Sequence, residues 1–122
     1  MKIRIKDNSV RLRLSKSETI RLAEEGIVEE KTNFGNQTFG YAAIVSDADT
    51  MSATFSDNMI RMSIPKTLID EWSATSLVSL SYDLPVGTDE YLHLLLEKDF
   101  KCNDAKVVED QSDYFENPAQ SC

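Results

Sequence analysis

The 122-residue chain contains few of the residues on which metalloenzymes and secreted scaffolds depend. Its one histidine, His93, excludes a metal site built from several histidines, and two cysteines cannot form the disulfide framework of a small secreted domain. The longest strongly apolar run, residues 91–96, is too short to cross a bilayer, and the charged opening does not resemble a signal peptide. The GxGxxG, P-loop and GxSxG motifs are also missing. We therefore expect a cytoplasmic protein without a membrane segment.

The composition is that of one globular domain spanning residues 1–122, with 41% hydrophobic and 28% charged residues. A formal net charge of −8 argues against nucleic acid as a partner, because nucleic-acid binding needs a basic surface. The charge is unevenly distributed: residues 1–22 hold seven Lys or Arg and two Asp or Glu, so the remaining hundred residues carry −13. The sequence thus predicts a basic N-terminal segment in an acidic protein.

A shift of fifty positions aligns residues 7–17 with residues 57–67, with four identical and four conservative pairs. This match predicts a duplicated ββαββ unit, residues 1–50 and 51–100, followed by an irregular acidic tail, residues 101–122. The alternative is a chance similarity between two amphipathic strands. The tail is expected to pack through Val107, Val108, Tyr114 and Phe115.

The predicted fold is α+β, with eight strands and two helices. Ser15 and Glu18 form a capping box that begins the first helix, Gly26 ends it, and Pro65 is expected in the first turn of the second helix. Because most connections are too short for crossovers, we expect antiparallel strands that form an eight-stranded barrel or a strongly curved sheet, with both helices on its apolar face. The later strands are expected at about 27–33, 38–46, 77–82 and 90–98, with turns at 33–37 and 83–87.

The first hairpin supplies the main functional clue. If Asp7 and Asn8 form a two-residue turn, Arg4 lies opposite Arg11, and Lys2 lies opposite Arg13 in the same way. Like charges directly across a ladder destabilise a sheet. The corresponding pair in the second half, Thr54 opposite Arg61, carries one cation only. The fold itself therefore does not require the cations of the first hairpin.

The alternation predicts one polar strand face that also carries Tyr41, Ser79, Ser81 and Tyr91. The predicted ligand-binding residues on it are Lys2, Arg4, Arg11, Arg13, Lys31 and Arg61, because clustered Arg and Lys bind phosphate or carboxylate. We expect a binding protein for an anionic small molecule or an acidic segment of a partner. One alternative is a metal-dependent phosphohydrolase with its site in a barrel lumen, where Glu29 or Glu97 holds the metal and His93 is the general acid or base. Another is a structural protein whose cations pair with its own carboxylates. The sequence specifies neither a cofactor nor an oligomeric state.

The cysteines, Cys102 and Cys122, admit three interpretations. Together with His93 and Asp99 they could form a zinc site, but the spacing lacks the Cys-x-x-Cys pairing of structural zinc motifs. They could close a disulfide loop around the tail, or remain free thiols, which is the usual state in the cytosol.

The chain resembles a small bacterial family of unknown function. The resemblance is carried by Met-Lys-Ile-Arg-Ile-Lys at the start, Ser-Val-Arg-Leu-Arg-Leu at 9–14, residues 97–102, Glu109-Asp110, Phe-Glu-Asn-Pro at 115–118 and the final Cys122. The similarity runs nearly end to end and implies no activity. At the level of fold, the chain also resembles the CYTH-like triphosphate-tunnel barrels, in which Arg and Lys bind polyphosphate and glutamates hold metal. That likeness implies a phosphate-binding role for the six cations above and a metal-binding role for Glu29 and Glu97. The Glu-x-Glu-x-Lys opening strand of those barrels is absent here, so we assign no triphosphatase activity.

Overall fold

The computed structural model describes residues 1–100, Asp113, Phe115 and Glu116, which form an α+β fold of two four-stranded sheets and two helices. In chain order the elements are β1 (Lys2–Lys6), β2 (Ser9–Leu14), α1 (Lys16–Glu25), β3 (Ile27–Asn33), β4 (Thr38–Ser46), β5 (Ser52–Ser56), β6 (Met59–Pro65), α2 (Lys66–Ala74), β7 (Ser79–Gly87) and β8 (Glu90–Lys98). Sheet 1 has the strand order β1-β2-β8-β7, and sheet 2 has the order β3-β4-β6-β5. No helix among the described residues is long and apolar enough to span a membrane.

The hairpin registers are as predicted. Arg4 pairs with Arg11 and Lys2 with Arg13 across β1 and β2, and the same spacing sets Thr54 opposite Arg61 across β5 and β6. Asp7 has a φ of 48°, in the left-handed region that a tight turn requires and that Asp tolerates better than most residues. The two-residue turn therefore fixes which side chains face each other on β1 and β2.

The sheets are mixed, and neither closes into a barrel, so the expected all-antiparallel barrel is wrong. The central pair of each sheet is parallel: β2 with β8 in sheet 1, and β4 with β6 in sheet 2. β4 and β6 become parallel neighbours without a crossover helix because β5 lies on the far side of β6. The short connections constrain consecutive strands only, and in each sheet the central partners are not consecutive.

The capping box and the C-terminal glycine of α1 are as predicted, and α2 begins directly after Pro65. The Ser15 hydroxyl accepts a hydrogen bond from the Glu18 N–H while the Glu18 carboxylate accepts one from the Ser15 N–H, which is the predicted capping box. Gly26 ends α1 in the left-handed conformation, at a φ of 85°. Pro65 is the N-cap residue of α2 and the last residue of β6, one position earlier than predicted.

One hydrophobic cluster lies between the two sheets and the helices. The inward faces of β2, β8 and β6 supply Leu12, Leu96 and Met62, each with no exposed surface. Both helices contribute to it through Leu22 in α1 and Trp72 in α2, which confirms that they cover the apolar strand faces. The polar face of each sheet therefore points away from the core.

Near the C-terminus of the chain, the predicted turn is wrong, whereas the predicted packing of Phe115 is confirmed. The turn predicted at residues 83–87 is part of β7, which continues through Pro85 with an irregularity before Gly87. Phe115 packs its ring on Phe100, with the ring centres 5.8 Å apart, and its N–H donates to the Asp99 carbonyl. The predictions for Val107, Val108, Tyr114, Cys102 and Cys122 fall outside the described residues.

Candidate functional site

The outer face of sheet 1 carries the basic residues of the first hairpin, and we call it the basic face. Alternate residues of a strand share a face, so the registers place its side chains in three rows that cross β1, β2, β8 and β7. The rows are Lys2, Arg13, Glu97 and Ser79; then Arg4, Arg11, Leu95 and Ser81; then Lys6, Ser9, His93 and Asp83. The basic face thus joins the first hairpin to the last one.

The middle row contains two arginines with few partners of their own. Arg4 is exposed and has no hydrogen-bond or ion-pair partner within the described part of the chain. The Arg11 side chain is 25% exposed, and its Nε atom is buried without a hydrogen bond, 3.5 Å from Oε1 of Glu97. The middle row therefore holds two facing cations, of which Arg11 has one distant carboxylate and Arg4 has no partner among the described residues.

The first row is largely neutralised within the protein. The Nε atom of Arg13 donates to Oε1 of Glu97 at 2.5 Å, so a single carboxylate oxygen faces both Arg13 and Arg11. The Nζ atom of Lys2 lies 3.1 Å from Oδ2 of Asp99, which is almost buried. These contacts leave the excess positive charge of the basic face at the middle row and at the neighbouring Lys6.

In the third row, hydrogen bonds connect the turn between β1 and β2 to β8, which places His93 on the basic face. Asn8, in the turn, donates its side-chain N–H to the Tyr91 carbonyl at 2.6 Å, and its own carbonyl accepts from the His93 N–H. Nδ1 of His93 lies 2.7 Å from Oδ1 of Asp83, and both side chains are exposed. Asp83 reaches His93 only because β7 extends through the segment that was predicted to turn.

Two shallow depressions adjoin the arginine pair. The first has a volume of about 230 Å³, and its polar lining consists of Arg4, Lys6, Ser9, Arg11 and His93. The second has a volume of about 190 Å³, and its charged lining consists of Lys2, Arg4, Arg11 and Arg13. Arg4 and Arg11 border both, so any anion in either depression meets the middle row. Lys6 and Ser9 were not among the predicted site residues, although the alternation of Lys2, Arg4 and Lys6 along β1 indicates the lysine.

The remaining predicted site residues lie on the other sheet. Lys31, Arg61 and Glu29 occupy the outer face of sheet 2, and Tyr41 lies on the inward face of that sheet, so the single polar face is divided. Arg61 donates to the carbonyl and the hydroxyl of Ser56. Glu29 and Glu97 are on different sheets, and the described residues contain no group of three or more His, Cys, Asp or Glu that could hold a metal.

A second polar cluster, which was not predicted from the sequence, surrounds the amino group of Met1. This group is partly buried and forms ion pairs with Glu18 and with Glu30, the latter at 2.6 Å. Burial alone would lower the pKa of the amino group, but the two carboxylates outweigh burial and raise it. Burial likewise works to raise the pKa of Glu18, yet the amino group and the Ser15 N–H lower it. The cluster ties the start of β1 to α1 and to sheet 2.

Burial, together with the nearby charge of Glu30, raises the pKa of Tyr41, whose hydroxyl donates to the Met1 carbonyl at 3.2 Å. This contact adds a neutral hydrogen bond to the Met1 cluster and fixes the inward position of Tyr41. The cluster is therefore satisfied within the protein, unlike the middle row of the basic face.

The fold and the basic face define an α+β protein of two mixed sheets, one of which presents clustered cations on its outer side. The chain belongs to a family of unknown function, DUF7009, which matches residues 1–119. No curated protein matches the chain. No solved structure matches it either, so nothing supports the likeness to the triphosphate-tunnel barrels.

Proposed function

We propose that the basic face binds the phosphate or carboxylate group of a small ligand, with Arg4 and Arg11 as the principal contacts. The observation that carries this proposal is the facing arginine pair, in which Arg4 has no partner within the described residues and Arg11 shares Glu97 with Arg13. Guanidinium groups bind such anions through paired, charge-assisted hydrogen bonds. Lys6 adds a third cation at the edge of the larger depression.

The net charge of −8 does not oppose this proposal, because charges farther away than about 10 Å are screened at ordinary ionic strength. Five cations stand in β1 and β2 on the basic face. The carboxylates near these cations are those of Glu97 and Asp83 on the basic face and Asp99 just after β8. Of these, Asp83 is paired with His93. Counted over the described residues alone, the local excess is therefore positive.

We also infer that the two halves of the chain arose by duplication, which bears on why the cations are there. In support, the registers of β1 with β2 and of β5 with β6 repeat at an offset of fifty residues, and each central strand has a parallel partner. At the positions of Lys2 and Arg4, the second half has Ser52 and Thr54. A hairpin of this geometry forms without facing cations, so a role other than folding accounts for them.

Calorimetric titration with inorganic phosphate tests the proposal. We expect saturable binding to the wild-type protein and a loss of affinity of about tenfold or more in Arg4→Thr, because one charged contact is removed. Arg61→Thr is the control, since Arg61 is the equivalent of Arg11 on sheet 2 and faces Thr54, the equivalent of Arg4. Equal affinity in wild type and Arg4→Thr would refute the assignment. Binding of an acidic peptide without binding of phosphate would instead assign the face to a protein partner.

A further inference from the structure

Lys98 is a buried cation at the end of β8, apart from the basic face. Lys98 follows Leu94 and Leu96 on the inward face of this strand, and only 6% of the residue is exposed. Its Nζ atom donates to the Thr75 carbonyl, just after α2, at 2.7 Å. The same atom lies 5.8 Å from the centre of the Trp72 ring.

The Lys98 ammonium has no carboxylate partner among the residues that the structure describes. One carbonyl and the faces of the Trp72 and Phe115 rings are its only described partners, with the Phe115 ring centre 5.3 Å away. Buried charges in proteins are normally paired, and ring faces compensate for lost hydration only in part. Burial accordingly lowers the pKa of Lys98. The site therefore holds a positive charge that its surroundings incompletely satisfy.

Lys98 lines a cavity of about 370 Å³ between the end of α2 and the Phe100–Phe115 contact. This volume is within the range of small-molecule sites. Two kinds of groups line the cavity together with Lys98: the apolar side chains of Phe100, Phe115 and Val78, and the polar residues Ser73, Thr75 and Ser76. Glu116, which is exposed, also lines the cavity.

We propose that this cavity binds a small aromatic monocarboxylate, whose carboxylate pairs with Lys98 and whose ring packs against Phe100 and Phe115. One buried cation matches one negative charge, and the apolar walls match an aromatic body rather than a hydrated ion such as phosphate. The cavity adjoins the inward face of β8, whereas the basic face lies on the outer side of the same sheet. The two sites are independent, and either assignment can fail without the other.

The protein contains its own reporter, because Trp72 is its only tryptophan and lies beside Lys98. We expect benzoate to change the Trp72 fluorescence in a saturable way and to raise the melting temperature. Benzamide, which has the same shape without the charge, should bind at least about tenfold more weakly. Comparing these two probes needs no variant, so the test holds even if substitutions at Lys98 disturb folding.

The matched variant is Lys98→Gln, which removes the charge but retains an N–H donor for the Thr75 carbonyl. It should lower benzoate affinity by about tenfold or more, whereas Arg4→Thr on the basic face should leave it unchanged. Three results would overturn the proposal: equal affinity for benzoate and benzamide, unchanged benzoate affinity in Lys98→Gln, or no saturable response to benzoate in either fluorescence or melting temperature.

Discussion

Replacing Arg4 by threonine should stabilise the protein in phosphate-free buffer. Arg4 lies directly opposite Arg11, where the side chains of facing residues start about 5 Å apart. The Glu97 carboxylate lies near Arg11 but is shared with Arg13, and Arg4 has no partner among the described residues. Removing an unfavourable cross-strand pair of this kind stabilises a sheet by about 0.2–1 kcal/mol. Threonine is also a good strand former, and Thr54 already faces Arg61 in the corresponding hairpin. Urea unfolding measures the difference.

When phosphate is added, the wild-type protein should become more stable than Arg4→Thr. A ligand that binds only the folded state stabilises it by about 2.7 kcal/mol at one hundred times its Kd, more than the strain that Arg4 introduces. Phosphate also stabilises most proteins non-specifically, so the quantity to compare is the phosphate effect in wild type minus that in Arg4→Thr, with Arg61→Thr as a second reference. If Arg4→Thr is destabilised without phosphate, or gains as much from phosphate as wild type does, the reasoning about strain and function is refuted.

The other predictions concern packing and the Met1 cluster. Glu18→Gln keeps the capping box but loses the ion pair with Met1, so it should lower the free energy of unfolding by about 1–3 kcal/mol at neutral pH. In the wild type, the stabilisation from this ion pair should be lost as pH rises through the raised pKa of the amino group, and also as pH falls through the lowered pKa of Glu18. Urea unfolding of the wild type and of Glu18→Gln at several pH values measures this loss. Gly40→Ala should cost about 1 kcal/mol, because its Cβ would displace the flexible Met59 side chain and lie 3.2 Å from the Glu30 carbonyl, and Met59→Ala should partly restore stability in a double-mutant cycle. Gly26→Ala, where a Cβ meets no atom within 4 Å, should cost about 1 kcal/mol in thermal unfolding, from the positive φ alone.

The sequence predicts the local structure of the basic face well. A two-residue turn fixes the register of a hairpin, and so the Arg4–Arg11 pair follows from Asp7 and Asn8. The capping box of α1 is equally local. Each of these features depends on residues within a few positions of one another, where the short-range rules of turns and caps apply.

The arrangement of the sheets could not be predicted in the same way. The parallel pairing of β2 with β8 joins strands that are about eighty residues apart along the chain, and no turn residue specifies it. The extension of β7 through Pro85 depends on the edge position of that strand, where a missing N–H removes no inner ladder bond. The division of the cations between two sheets and the contact of Asp83 with His93 both follow from these long-range features.

The most direct test of the anion-binding account is a phosphate titration followed through the arginine Nε–H signals by ¹H–¹⁵N NMR. The account predicts that the Arg4 and Arg11 signals shift together and saturate at one Kd, while the Arg61 signal on the other sheet stays in place. Unmoved Arg4 and Arg11 signals, or an equal shift at Arg61, would contradict it.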